Sequence, residues 1–348
     1  MSRNSSVSLK PFCYIFPSFN MITSTMLIVL VPQIIMLFIT KSYQSLILLA
    51  SSIFASHCAE ALDKLAIRKK RYDFLIATFQ GLVIGMFLPA GYPPVTIFFI
   101  VLVSLLISRY AFGGVASSWM NPVAITVIVS YAVGSVWFPA NVVTLDHLQI
   151  QNTSLALIQE GSLPVHSFDS TITSFLNENI FSLIGISIPN GFVSLIWDSG
   201  SVIPAFRFNL LTLIASLFLF SVQIINWSVT GSFLLVYLIL VRFFCPLIVG
   251  NPFGTGDIIL ALMTGGTLFT AFFVLTWFGT VPLTTGGKIL FGSLAGIAAF
   301  FISGIGMSAA GAMFTVFSAN ILSLFIQMFE QRHCCDNQSV KQIVAERN

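Results

Sequence analysis

Long apolar segments separated by short polar connections make up most of the chain. A helix needs about 20 consecutive apolar residues to cross a bilayer, and ten segments reach or approach that length. They cover residues 21–40, 43–62, 74–90, 92–108, 122–138, 207–225, 229–249, 257–279, 288–304 and 307–328. This pattern predicts an all-α membrane protein with about ten transmembrane helices.

One long polar stretch divides these segments into two sets of five. The predicted organisation is an N-terminal region 1–20, a first five-helix half 21–138, a loop 139–206, a second five-helix half 207–328 and a tail 329–348. An even division of this kind is typical of membrane carriers built from structural repeats. A loop as long as 139–206 is usually functional or disordered.

Composition excludes a water-soluble protein. Hydrophobic residues make up 56% of the chain and charged residues 8%, whereas soluble domains are about a quarter charged. The first apolar run begins near Met21 without a small-residue cleavage site behind it, which argues against a cleavable signal peptide. The five cysteines form no C-x-x-C pair, and the net charge of +3 suggests no nucleic-acid partner, so neither a metal site nor nucleic-acid binding is predicted.

The basic residues predict the orientation. If ten helices alternate, most of them fall on one side, which the positive-inside rule identifies as the cytoplasm. They are Arg3, Lys10, Lys64, Arg68, Lys69, Lys70, Arg71, Arg109, Lys288, Arg332, Lys341 and Arg347. Both termini are then cytoplasmic, and residues 139–206, which carry five acidic residues and no Lys or Arg, are external.

Few ionisable residues lie inside the predicted spans. Glu60 is placed near the cytoplasmic end of the second segment and Asp257 at the external start of the eighth. Intramembrane charges are costly and suggest a function by default, so both are candidates for an ion pathway. The alternative is that Glu60 and Asp63 pair with Lys64 at the membrane interface.

The connection between the fourth and fifth segments reads "RYAFGGVASSWMNPVA" (109–124). Gly113 and Gly114 allow a close approach of backbone or ligand. Asn121 and Pro122 are suited to the N-cap and the first position of a helix. A tight, well-capped turn and a ligand site both fit these residues.

Several segments together resemble one membrane family. "FGGVASSWMNPVA", "SHCAEALDKLAIRKKRYDFLIATFQGLVIGMFLP", "IINWSVTGSFLL", "LMTGGTLFTAFFVLTWFGTVPLTTGGKILFG" and "GAMFTVFSANILSLFI" are similar, in order and spacing, to segments of the family that includes the D subunit of the Rnf ferredoxin:NAD oxidoreductase and the B subunit of the sodium-pumping NADH:quinone reductase. Asp73 matches the family's Asp that opens helix three and joins Glu60 and Asp257 as an ion-pathway candidate.

The resemblance implies an electron-transfer subunit with two five-helix repeats, in a bundle resembling that of urea-type channels. It implies one FMN esterified through its phosphate to a Thr of the external loop by a separate flavin transferase. It also implies a second, non-covalent flavin (riboflavin) within the bundle, for which Gly113, Gly114 and Asn121 are the candidate residues. A flavin supplies redox chemistry that no side chain provides.

Thr153 falls on the family's modified Thr, in "LDHLQIQNTSLALIQEG" (145–161). The family's Ser-Gly-Ala before that Thr is replaced by Ile150, Gln151 and Asn152, and its Pro by Ser154. Attachment of FMN at Thr153 and loss of that FMN are therefore both open.

Three functions remain to be compared. The first is a flavin-carrying subunit of an ion-translocating electron-transport complex in the bacterial inner membrane, with other subunits as partners. The start of helix one near residue 21 favours the Rnf D subunit over the quinone reductase B subunit. The second is a urea-channel-like transporter, and the third is a flavin-free scaffold subunit. The choice between sodium and proton is not encoded in any motif.

Overall fold

The computed structural model describes residues 18–67, 72–113, 118–139, 164–184, 187–249, 253–254, 256–305 and 308–346. Those residues form helices and connections, with no strand among them. The first set consists of α1 (Phe19–Ile39), α2 (Tyr43–Ile67), α3 (Phe74–Met86), α4 (Pro94–Phe112) and α5 (Pro122–Gly134). Each coincides with one of the first five predicted segments.

Two short helices, α6 (Asp169–Asn179) and α7 (Phe192–Trp197), precede the second set. The second set consists of α8 (Asn209–Ser221), α9 (Trp227–Ile239), α10 (Cys245–Val249), α11 (Ile258–Thr264), α12 (Thr267–Phe269), α13 (Thr285–Ala299) and α14 (Gly311–Glu346). A π-helical turn, Leu240–Phe244, joins α9 to α10, and further π-helical turns follow α12 and α13.

Six of the helices are long and apolar enough to cross a membrane. They cover Phe19–Ile39, Tyr43–Ala66, Pro94–Phe112, Trp227–Ile248, Thr285–Ile305 and Gly311–Arg332. The apolar helices α3, α5 and α8 are shorter, and the predicted span 257–279 is broken at Gly265 and Gly266 into α11 and α12. The chain is thus a multi-pass membrane protein with six candidate spans in the part that the structure describes, while ten spans in a urea-channel-like bundle stay a prediction.

The same neighbours recur in the two sets. In the first set α2 packs against α3 and α4, and α4 against α5; in the second set α9 packs against α13, and α13 against α14. Glycine permits the closest of these contacts, because a Cβ on Gly81 would collide with the α2 backbone and one on Gly292 with the α9 backbone. Small residues at such positions are typical of helix pairs in membranes.

The described helices alternate between two ends of the bundle. At one end, called here the Phe19 end, Phe19 packs against Phe278 and Glu330 accepts a hydrogen bond from the amide of Thr284. At the other, the Lys41 end, the amide of Ala90 donates to Val202. The Phe19 end is the one predicted to face the cytoplasm.

The distribution of basic residues is less one-sided than the sequence analysis assumed. Lys41, Arg207 and Arg242 lie at the Lys41 end, where Arg207 pairs with Asp198 and Arg242 donates to the carbonyl of Gly256. The cytoplasmic location of the termini stays a prediction.

Candidate functional site

A buried cluster of charged residues joins α2 to α4 at the Phe19 end. Nη1 of Arg109, in the last turn of α4, contacts Oε2 of Glu60 and lies 3.4 Å from Oδ2 of Asp63. Glu60 is 0%, Asp63 2% and Arg109 8% exposed. Because residues three apart share one face of a helix, α2 presents both carboxylates to the same guanidinium.

The start of α3 completes the surroundings of this cluster. The backbone amide of Asp73 donates to Oε1 of Glu60 over 3.3 Å. One turn earlier on α2, the ring of His57 lies 2.7 Å (Nδ1) from the hydroxyl of Tyr72 and 3.1 Å (Nε2) from the hydroxyl of Thr78. Glu60 and Asp73, two of the predicted ion-pathway residues, are therefore neighbours.

The electrostatics of the cluster depend on its burial. Removing a carboxylate and a guanidinium from water costs several kcal/mol for each ion, and their mutual attraction offsets that cost only in good geometry. Arg109 satisfies part of the carboxylates' hydrogen-bonding capacity, yet its own Nε and Nη2 have no partner among the described residues. The arrangement can hold a charge inside the protein and has donors left to bind a further acceptor.

The connection after α4 is described in part. Gly113 has φ 102°, a left-handed value that favours glycine, and the ring of Trp119 packs on Phe112 with centroids 5.1 Å apart. Gly114, the other glycine of the pair, lies outside the described residues. Trp119 therefore lies against the end of the helix that carries Arg109.

Asn121 starts α5 as predicted. Its Oδ1 accepts from the amide of Val123, 2.9 Å away, and Pro122 occupies the first turn. Its Nδ2 donates over 2.9 Å to the carbonyl of Val274, at the end of the π-helical turn after α12. Asn121 thus ties the first set of helices to the broken helix of the second, and one of its two side-chain N–H groups is left for another acceptor.

Asp257 is not part of this site. It is the N-cap of α11, where Oδ1 accepts from the amide of Leu260 over 3.0 Å. That position is at the Lys41 end, whereas Glu60 lies at the Phe19 end. The third predicted ion-pathway residue is therefore separated from the other two by the length of the bundle.

Several buried polar side chains in the second set, and one on α3, also have an atom without a hydrogen-bond partner among the described residues. They include Gln80, Thr270, Trp277 and Asn320. Trp277 stacks on Phe79 with ring centroids 5.4 Å apart. Unsatisfied polar atoms inside a native protein usually mark ordered water or a bound ligand.

Thr153, the predicted site of covalent FMN, lies outside the described residues. The part of the loop that follows it is built around Asp169. This buried carboxylate accepts hydrogen bonds from the amides of Gly191 (2.7 Å) and Ser194 (2.6 Å) and from the hydroxyl of Thr173 (3.0 Å). Asp169 thereby holds α6 against the start of α7.

We expect the loop to loosen in acid. Burial alone would raise the pKa of Asp169, but the hydrogen bonds from Gly191 and Ser194 hold it below its ordinary value of 3.8. A lowered folded-state pKa gives stability that is present above the unfolded pKa and lost as pH falls through the folded one. The protection of the amides in 166–195 against hydrogen exchange, measured relative to the intrinsic exchange rate at each pH, should therefore fall below about pH 4.

The matched variants make this prediction specific. Asp169→Asn should lose about 2 kcal/mol of local protection at neutral pH and show little further change in acid. Glu178→Gln, on the exposed face of the same helix, should behave as the wild type. Equal acid sensitivity in wild type and Asp169→Asn would contradict the assignment.

Sequence reasoning did not identify Arg109 as the partner of the two carboxylates. It paired them with Lys64, which is adjacent in the chain but exposed. The signal was available in the pattern, because Arg109 is placed at the end of α4 that meets the end of α2. Contact between those two ends required the packing of α2 against α4, which no local pattern specifies.

Known proteins resemble this chain over most of its length. The family described as "NQR2, RnfD, RnfE family" matches residues 6–335. The D subunit of the ion-translocating oxidoreductase complex of Actinobacillus pleuropneumoniae serotype 5b (strain L20) is 25% identical over 293 residues, covering 76% of this chain and 80% of its own. The protein of the same name from Shewanella frigidimarina is 23% identical over 331 residues, covering 89% and 92%. The chain therefore belongs to the NQR2, RnfD, RnfE family.

Proposed function

We propose that this chain is the flavin-carrying membrane subunit of an Rnf-type ion-translocating oxidoreductase complex, and that it passes electrons between flavins while an ion moves. The family match over residues 6–335 and the shared name of the relatives support the role of the D subunit in such a complex. The observation that carries the ion part is the buried pairing of Glu60 and Asp63 with Arg109 inside a membrane protein. Other subunits of the complex are the expected partners.

The non-covalent flavin fits best at the Phe19 end, near Gly113 and Asn121. Isoalloxazine rings carry several carbonyl and ring-nitrogen acceptors, and the free donors here are Nε and Nη2 of Arg109 and the second N–H of Asn121. A bound flavin would supply the one-electron chemistry. The protein's part is to orient the ring, exclude water and stabilise charge as it develops.

The proposal requires only the non-covalent flavin in the wild-type chain, because Ile150, Gln151 and Asn152 replace the small residues that precede the modified Thr of the family. FMN esterified to Thr153 would require a flavin transferase as a further partner. The setting is the bacterial inner membrane with both termini in the cytoplasm, and electrons would cross from the loop to the Phe19 end only in a chain that carries that FMN.

Flavin retention by variants of Asn121 tests the proposal. The chain is purified in detergent after expression with its partner subunits, and released flavin is measured after denaturation. Asn121→Ser keeps a hydroxyl for the helix cap but removes the amide that reaches Val274. We expect flavin occupancy to fall at least tenfold in Asn121→Ser and to stay unchanged in Asn226→Ala, which removes an exposed cap from α9.

The remaining outcomes separate the alternatives. A wild-type chain without any flavin would overturn the proposal. Solute uptake by proteoliposomes of that flavin-free chain would then favour a urea-channel-like transporter, and no uptake a scaffold subunit. Genes for five further subunits of ferredoxin:NAD or NADH:quinone type beside this one would distinguish Rnf membership from the sodium-pumping quinone reductase.

A further inference from the structure

Only one side of the Arg109 guanidinium has hydrogen-bond partners among the described residues. Its Nη1 faces Glu60 and Asp63, whereas Nε and Nη2 have no partner among the described residues although the side chain is 5% exposed. A buried donor without an acceptor is unfavourable, and more so when it is charged. The free Nε–Nη2 edge of Arg109 therefore requires an acceptor.

Arg207 shows how a guanidinium Nε–Nη2 edge binds an acceptor in this protein. Its Nε and Nη2 donate to the two carboxylate oxygens of Asp198 over 2.9 and 2.6 Å, and its Nη1 donates to Ser42 over 2.6 Å. The guanidinium fork matches planar, two-point acceptors. Within one protein, the same edge is filled in Arg207 and open in Arg109, so the open edge fits an acceptor from a ligand at the Phe19 end.

On its Nη1 side, the guanidinium of Arg109 is itself a cation held by two carboxylates. Arginine stays protonated, so its Nη1 occupies the position that a monovalent cation would take between Glu60 and Asp63. Carboxylate oxygens are the ligands that hard cations prefer. A guanidinium that moves toward its free edge would leave this position open to such a cation.

We propose that Arg109 is a charge-coupling residue, shared between the Glu60–Asp63 carboxylates and an electron-accepting ring carbonyl bound on its Nε–Nη2 edge. Arg109 would shift from Glu60 and Asp63 toward a carbonyl that carries more negative charge, and the two carboxylates would then take up one monovalent cation. One electron enters from a one-electron donor of the partner subunits and one cation from the Phe19 side. With sodium no covalent bond forms or breaks, with a proton one carboxylate O–H bond forms, and in both cases the net charge is unchanged. The inference rests on the proposed function for its ligand.

Sodium binding to the flavin-free, full-length chain tests the carboxylate half. Isothermal titration at constant pH should give weak binding in the wild type, because Arg109 fills the position. Arg109→Gln should bind sodium at least tenfold more tightly, and the gain should vanish in Arg109→Gln/Glu60→Gln. Lys64→Gln, which removes an exposed positive charge from the same helix, should match the wild type. No gain in Arg109→Gln excludes sodium as the cation, and a flavin potential that then shows no pH-dependent difference between wild type and Arg109→Gln overturns the inference.

The midpoint potential of the bound flavin tests the coupling. In the wild type the midpoint potential should rise by about 59 mV for each tenfold increase in the concentration of the coupled cation, which is the value for one cation per electron. One series varies the sodium concentration at fixed pH, and the other varies pH at fixed sodium concentration. The second series is needed because a proton is the other candidate cation and because His57, Tyr72 and Asp73 lie around the carboxylates. The slope should vanish in Arg109→Gln, whose carboxylates hold the cation in both redox states, and persist in Lys64→Gln.

Failure of the inference and failure of the proposed function look different. Absence of flavin from the wild type removes the function, while the sodium titration still decides the carboxylate half. A bound flavin with a flat potential in both series, or an unchanged slope in Arg109→Gln, overturns the coupling. If Arg109→Gln does not fold, Arg109→Lys keeps the charge but lacks the fork, and its slope should fall by at least half.

Discussion

Replacing Glu60 by leucine is expected to destabilise the protein by about 3–5 kcal/mol, the cost of removing one partner of a buried ion pair. The loss exceeds that of an ordinary surface charge because Arg109 would keep its positive charge in a buried position with Asp63 as its remaining acidic partner among the described residues. The measurement is unfolding of the purified chain in mixed detergent micelles, followed by circular dichroism. The transition of Glu60→Leu should shift strongly toward lower denaturant.

The double variant Glu60→Leu/Arg109→Leu distinguishes pairing from packing. If the loss comes from the stranded guanidinium, removing Arg109 as well should restore at least half of the stability, since replacing both partners by apolar residues is often neutral. The exposed Glu178→Leu provides the control and should unfold as the wild type. Additive losses at Glu60 and Arg109 would show that the two residues do not act as a pair.

The lengths of the apolar segments and the capping residues of the chain predicted much of the fold. Each of the ten apolar segments coincides with one helix or with a helix interrupted by short turns, and the start of α5 at Asn121 and Pro122 is confirmed. These features are local, because span length is a matter of composition and a cap involves residues only two or three positions apart. Local patterns were sufficient for them.

The site depended on contacts that local patterns do not contain. The break at Gly265 and Gly266 follows from packing, since Gly266 has a left-handed φ and its Cα lies against the ring of Phe206, 60 residues away in the chain. The pairing of Glu60 with Arg109 spans 49 positions. Lys64 was the closer candidate in sequence, but an exposed ammonium does not compensate a buried carboxylate as a buried guanidinium does.

The altered sequence before Thr153 should have a large effect on covalent attachment of FMN. We expect the wild-type chain, produced with a flavin transferase, to give no fluorescent flavin band on a denaturing gel. Ile150, Gln151 and Asn152 replace the small residues that precede the modified Thr of the family that this chain resembles. Bulkier side chains restrict the approach of the transferred phosphate to the hydroxyl of Thr153. A phosphoester survives denaturation, so the band reports attachment directly.

Restoring the motif should restore the band. In the variant Ile150→Ser/Gln151→Gly/Asn152→Ala the three small residues return, and we expect bright fluorescence that disappears when Thr153→Ala is added. Ser154→Ala in the restored chain serves as the control and should stay bright, because its hydroxyl is one position beyond the matched Thr. A bright wild-type band lost in Thr153→Ala would show that the transferase accepts the altered motif.

The restored chain also decides what the loop contributes. If its band is bright while electron transfer through the complex stays at the wild-type level, the flavin near Gly113 and Asn121 is sufficient for the wild-type rate and the loop flavin is dispensable in this protein. If electron transfer instead rises with the band, the wild type is limited by the missing loop flavin. A restored chain that stays dark with an active transferase would mean that Thr153 is not accessible in the folded loop. The match of Thr153 to the family's modified residue would then be one of sequence only.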